Sequence, residues 1–231
     1  MTMPADSRLI VALDEPDLAS ARRLVDELGD SVSFYKIGLT LLAQGGLDLV
    51  QDLRAAGRQV FQDWKLHDIG AQVEGAARAV CAGGCDLLTV HAEPQVMTAA
   101  VRGRGDAATK IIGVTVLTSL TQGDLDGMGY GLELSDLVKR RVDQAVACGL
   151  DGVVSSPHEA EMIRARVPKD FLIVTPGVRP EGSDVNDQQR IATPQQAFLN
   201  GASHVVVGRP ITRAPDPKAA AQAILAAIHN V

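Results

Sequence analysis

The segment Asp63-Trp64-Lys65-Leu66-His67-Asp68-Ile69 places two carboxylates and an ammonium within six positions. It follows the run Arg58-Gln59-Val60-Phe61-Gln62, which reads as the end of a β-strand. Residues two apart in a strand face the same side, so Asp63 and Lys65 are predicted to point together beyond that strand's end. Asp68 precedes an Ala-rich helical pattern, where a carboxylate is favoured by the positive end of the helix. A lysine between carboxylates stays charged, because opposite charges favour the ionised form. Such an ammonium is a proton donor and an electrostatic clamp, suited to a carbanion-like intermediate. It is less suited to Schiff-base chemistry, which requires a neutral amine. A divalent metal would draw on Asp14, Asp63, Asp68 and Glu93, and the interleaved lysines weigh against it.

Short apolar runs alternate with helical patterns along the whole chain. The runs cover residues 9–13, 32–37, a third ending at 63, then 86–91, 110–117, 152–154, 171–174 and 204–207. Helical patterns cover 18–28 with Asp17 as N-cap, a stretch ending near Gly57 and one continuing to Gly83-Gly84. Others cover 95–101, 133–148, 158–167 with Pro157 as first residue, and 217–228. Eight strand–helix units predict an α/β fold, a (β/α)8 TIM barrel forming a single domain over residues 1–231. The doubly wound alternative usually carries a Gly-rich fingerprint after its first strand, whereas this chain reads Asp14-Glu15-Pro16 there. Residues 121–131, with four glycines, form a candidate lid or a plain surface loop. Residues 176–189 form a second, long polar loop.

In such a barrel the strands' C-terminal ends build the active site. This sequence puts Asp14, Lys36, Asp63, Lys65, His91, Thr118, Ser119, Arg179 and Arg209 at or just past those ends. Gly177 with Arg179 and Gly208 with Arg209 suit a phosphate after strands seven and eight. The glycines allow close backbone approach and the arginines offer forked donors. His67, His91 and Trp64 read at least equally well as packing residues.

The bulk composition narrows the partners. The formal charge is −6 and no basic tract is present, which argues against nucleic acid. A small anionic substrate remains compatible through local cations. No apolar run approaches membrane-spanning length, and no secretory leader is evident. The chain is 46% hydrophobic but 3% aromatic, so its core is predicted to be Val, Leu, Ile and Ala. Cys81, Cys85 and Cys148 read as reduced thiols rather than zinc ligands, in keeping with a cytoplasmic chain.

Read together, these pieces resemble the bacterial orotidine 5'-phosphate decarboxylase family over essentially the whole length. The matching segments are Ala12-Leu13-Asp14, Tyr35-Lys36-Ile37-Gly38, Asp63-x-Lys65-x-x-Asp68-Ile69, Thr89-Val90-His91-Ala92 and Val116-Leu117-Thr118-Ser119. They continue with Thr175-Pro176-Gly177-Val178-Arg179-Pro180, Asp187-Gln188-x-Arg190 and Val207-Gly208-Arg209-Pro210. The resemblance implies loss of CO2 from orotidine 5'-monophosphate to give UMP, the last step of de novo pyrimidine biosynthesis, without cofactor or metal. It implies that Lys65 protonates C6 within a Lys36-Asp63-Lys65-Asp68 array, and that Asp63 lies beside the substrate carboxylate. It implies a homodimer in which Asp68 completes the partner's site. Asp14 and Lys36 would hold the ribose, Thr118 and Ser119 the pyrimidine, and Arg179, Gln188, Gly208 and Arg209 the phosphate. Ile69 and Gln72 would also contact substrate. The family usually reads Pro-Asn-Thr after Asp68-Ile69, with the Thr near the ribose; here Gly70-Ala71-Gln72 stands instead, a departure that gives Gln72 a different reach at that position. The Asp-x-Lys-x-x-Asp pattern is similar also to that of Mg-dependent sugar-phosphate decarboxylases and hexulose-phosphate synthases on a related barrel. The Thr118-Ser119 and 177–180 segments argue for the nucleotide.

Overall fold

The computed structural model describes residues 3–179, 192–229 and 231. Among them, eight parallel strands close into one barrel: β1 (Leu9–Ala12), β2 (Phe34–Ile37), β3 (Gln59–Leu66), β4 (Leu87–His91), β5 (Lys110–Val114), β6 (Gly152–Val154), β7 (Leu172–Thr175) and β8 (His204–Val207). Neighbours in sequence are neighbours in the sheet, and β8 pairs back onto β1 through Leu9 and Val205. The strands are short runs of Val, Ile and Leu because helices cover one face and the barrel interior the other.

The two-residue period of each strand sorts its side chains. Ile10 and Ala12, Phe34, Phe61, Leu87, Ile112, Val174 and Val206 fill the barrel's centre. The same period carries Lys36, Asp63 and Thr89 inward one layer higher, which is how polar groups come to stand on an apolar floor. Alternate residues face outward: Leu9, Val11, Tyr35 and Val60 pack in one outer cluster, and Leu88, Val90 and Ile111 in another.

The helices are α1 (Leu18–Leu28), α2 (Leu39–Leu42), α3 (Gly46–Ala55), α4 (Gly70–Ala82), α5 (Pro94–Arg104), α6 (Gln122–Gly127), α7 (Leu134–Ala147), α8 (Ala160–Arg164), α9 (Pro194–Leu199), α10 (Arg209–Thr212) and α11 (Pro217–His229). Asp17 caps α1 by accepting the Ser20 N–H at 2.7 Å, and Ala21, Leu24 and Leu28 form the buried stripe. Helices α4 and α5 pack so closely that a Cβ at Gly103 would collide with the Glu74 carbonyl. No helix among the described residues is long and apolar enough to cross a membrane.

Several expected boundaries shift for identifiable reasons. Strand β3 runs past Asp63 to Leu66, through a register break between Gln62 and Leu66 against β4. Strand β5 stops at Val114. Helix α8 starts at Ala160, not at Pro157. The Glu159 carboxylate folds back to accept the Ser155 hydroxyl and, at 3.1 Å, the Ser156 N–H. The Gly-rich stretch after β5 is not loop throughout. Thr121 and Asp124 form a reciprocal capping box that starts α6. The short helices α2, α9 and α10 carry no apolar period long enough to predict from sequence.

Candidate active site

A cavity of about 530 Å3 opens at the C-terminal ends of the strands. Phe61, Val114, Val154 and Val206 line its apolar side. Asp14, Lys36, Asp63, Lys65, Thr118, Ser119, Arg179, Gly208 and Arg209 all line it as well. These residues come from six different strand ends, so the barrel's closure is what gathers them.

Asp63 is the hub. Lys65 Nζ donates to its Oδ1 at 2.8 Å, and Lys36 Nζ lies 3.4 Å from its Oδ2. Lys36 Nζ also donates to Asp14 Oδ1 at 2.9 Å. Lys36 and Asp63 are 8% and 9% exposed. Burial by itself would raise the Asp63 carboxyl, but Lys36, then Lys65, and the hydrogen bonds from Lys65 and Thr89 hold it below the usual carboxylate range. Burial likewise opposes the Lys36 charge, and Asp63 and Asp14 outweigh it, holding that ammonium above its ordinary value. The chain Asp14–Lys36–Asp63–Lys65 thus alternates in sign. Gly38, just beyond β2, leaves it room, since a Cβ there would stand 3.2 Å from both Asp14 Oδ1 and Lys36 Nζ.

Lys65 is, among the described residues, the only non-glycine with a left-handed backbone, at φ 48°. That conformation costs on the order of 1 kcal/mol. It sits inside the β3 register break, so the bulge turns the lysine side chain toward Asp63. Its N–H donates to Thr89 Oγ1 at 2.9 Å, and that hydroxyl donates to Asp63 Oδ1 at 3.0 Å.

At the opposite side, Gly177 follows β7 with φ 74°, a turn that glycine makes without steric cost. It brings Arg179, 6% exposed, to the cavity wall. Gly208 and Arg209 enter from the β8–α10 junction. This end of the cavity is therefore cationic and suits an anion.

Other predicted residues lie elsewhere. Asp68 and Ile69 are exposed, Ile69 by 67%, and neither lines the cavity of its own chain. Asp68 Oδ1 accepts the Ile69 N–H at 2.6 Å, ahead of α4. Gln72 is exposed on the first turn of α4 and does not line the cavity. Gln188 lies outside the described residues. His67 and His91 lie with ring centroids 4.8 Å apart and planes tilted by 42°, and His67 Nε2 is 3.2 Å from Glu93 Oε2. Neither histidine lines the cavity. Of the four acidic residues considered for a metal, Asp14 and Asp63 instead face lysines. No group of three or more His, Cys, Asp or Glu among the described residues could hold one.

Sequence reasoning gave no role to Thr89, although its parity on β4 places it beside Asp63. It also passed over Thr212 and Arg213, which line the cavity after Arg209.

Residues 7–224 match the model of the "Orotidine 5'-phosphate decarboxylase / HUMPS family". A relative named orotidine 5'-phosphate decarboxylase from Caulobacter vibrioides is 62% identical over 224 residues, covering 95% of this chain and 96% of its own. A relative of the same name from Rhodopseudomonas palustris is 53% identical, covering 97% and 96%. The crystal structure of orotidine 5'-phosphate decarboxylase from Lactobacillus acidophilus superposes with a TM-score of 0.85 at 35% identity, covering 96% of this chain and 99% of that one. The chain belongs to the orotidine 5'-phosphate decarboxylase / HUMPS family.

Proposed function

We propose that this enzyme converts orotidine 5'-monophosphate to UMP and CO2, the decarboxylation step of pyrimidine biosynthesis, with Lys65 as the proton donor. The observation that carries the reading is the Lys36–Asp63–Lys65 array in a cavity that also holds Arg179 and Arg209. The names of the relatives at 53–62% identity support the same substrate.

The phosphate binds Arg179 and Arg209, with Gln188 and the backbone at Gly208. The ribose lies against Asp14 and Lys36, and, across the homodimer, against Gln72 of the partner subunit. Thr118 and Ser119 meet the pyrimidine. The substrate carboxylate then stands beside Asp63. Two like charges in a poorly solvated site repel, and loss of CO2 removes that repulsion. The C6–carboxylate bond breaks, CO2 departs, and the electron pair stays on C6. The Lys65 ammonium faces that developing charge and delivers a proton to it, giving UMP and a neutral lysine that solvent reprotonates. Negative charge thus moves from a carboxylate beside Asp63 to a carbon beside a cation, so binding favours the transition state over the ground state. Phosphate binding, remote from C6, supplies energy to hold the ring in line.

Asp68 and Ile69 serve the site of a partner subunit in a homodimer. Their exposure, and the absence of Asp68 from its own cavity, support that reading. Cytoplasmic residence is consistent with a biosynthetic role.

The test is turnover of orotidine 5'-monophosphate, followed by loss of the orotate absorbance, with and without EDTA. Equal rates in both support the proposal. No turnover, or turnover abolished by EDTA, contradicts it and favours a metal-dependent sugar-phosphate enzyme of the same family.

A further inference from the structure

Thr89 is fully buried and does not line the cavity, yet its hydroxyl joins the two residues assigned to the chemistry. The Lys65 N–H can only donate, and the Asp63 carboxylate can only accept. The Thr89 hydroxyl between them therefore has one orientation, accepting at 2.9 Å and donating at 3.0 Å. Asp63 Oδ1 also receives Lys65 Nζ at 2.8 Å. The four groups form a closed ring that ties the Lys65 backbone to its own ammonium through Thr89 and Asp63.

We infer that Thr89 is a positioning residue for the decarboxylation proposed above: its hydroxyl holds the left-handed turn at Lys65 and fixes the Asp63 oxygen that aims the ammonium. The inference rests on that functional reading for its kinetic part alone. A left-handed lysine needs a partner that rewards the conformation, and the Thr89 oxygen receives its N–H. Without the hydroxyl the N–H loses this acceptor and the backbone is free to relax toward an extended strand. The ammonium then leaves its place, and a displacement of about 1 Å in a catalytic group costs on the order of a hundredfold in rate.

The test compares Thr89→Val, which keeps the shape and removes the hydroxyl, with Thr89→Ser, which keeps the hydroxyl. The expected result for Thr89→Val is a kcat lower by about tenfold to a hundredfold, with KM within about threefold. The Asp63 carboxyl, followed by 13C NMR, titrates at higher pH in Thr89→Val, because its charged form has lost a donor. The acid limb of kcat moves in the same direction. Thr89→Ser is expected to retain kcat within about fivefold of wild type, the loss of a methyl being a small packing change. Should Thr89→Val fail to fold, Thr89→Ala carries the same comparison with Thr89→Ser. A hydroxyl-free variant with unchanged kcat overturns the inference, as does an unmoved Asp63 titration. Equal damage in the valine and serine variants points to packing and also overturns it. The NMR reading needs no turnover. A wild-type chain that fails to decarboxylate the nucleotide would therefore sink the proposed function, whereas a static Asp63 titration would sink the role of Thr89.

Discussion

Lys36 and Asp63 face each other from adjacent strands, Nζ to Oδ2 at 3.4 Å, with both side chains almost wholly withdrawn from solvent. A buried pair of this kind adds little to stability over an apolar pair, but it is costly to break from one side. Lys36→Met removes the cation and leaves Asp63 with Lys65 alone, and Asp14 without its partner. Denaturant unfolding at neutral pH is expected to show a loss of about 3 kcal/mol, together with a severe fall in turnover. A loss under about 1 kcal/mol would mean that Lys65 alone compensates Asp63.

The pH dependence of stability has two distinct parts. His204, on β8, is held down to about 4 from 6.5, chiefly by burial, with Asp6 opposing weakly. The unfolded chain therefore binds a proton between pH 6.5 and 4 that the folded chain refuses, and stability falls as pH drops through that window. The fall from this residue approaches about 3 kcal/mol at its lower end. In His204→Gln, the slope of unfolding free energy between pH 6.5 and 4 should be visibly shallower than in wild type. An identical slope would rule His204 out as the source. Asp63 acts further down: its folded value is depressed below 3.8, so its contribution is complete above that pH and is lost as pH falls through the folded value.

Arg209 is expected to act through binding. Hydrogen bonds to charged groups contribute about 1.5–3 kcal/mol, so Arg209→Ala should raise KM for the nucleotide by roughly tenfold to a hundredfold. The effect should vanish when orotidine, which lacks the phosphate, is the ligand in a binding assay. A comparable loss for orotidine would move Arg209 away from the phosphate.

Subunit sharing has a quantitative signature. Lys65→Ala and Asp68→Asn chains, each inactive alone, are mixed in equal amounts and allowed to exchange. Half the dimers are then mixed, and one of the two sites in each is whole, so about a quarter of wild-type activity should return. No recovery after exchange has been verified by mass spectrometry would place Asp68 outside the partner's site.

Much of this fold was legible in the sequence because strand and helix periods alternate cleanly. Residues 204–207 and 18–28, and Asp17 as a cap, coincide with the observed elements. The gathering of Arg179 and Arg209 at one end of the cavity was also legible, because a glycine followed by an arginine recurs after two strands. The backbone at Lys65 was not. A left-handed lysine has no local signal and depends on Thr89, 24 residues away. The end of β3 beyond Asp63 is hidden because charged residues at a strand end read as loop. Helix α6 was hidden by glycines, although Thr121 and Asp124 at cap spacing were the available signal. Asp68 reads as part of one network by spacing, yet a single chain leaves it at the surface.

If Lys65 is the proton donor, its ammonium exchanges a proton with C6 in both directions. Microscopic reversibility makes this measurable on the product: in D2O the enzyme should replace the C6 hydrogen of bound UMP with deuterium, read by proton NMR. The wild-type chain is expected to catalyse this exchange, and Lys65→Ala is expected to bind UMP while leaving the C6 signal unchanged over the same period. Exchange in Lys65→Ala within tenfold of the wild-type rate would remove Lys65 from the proton transfer.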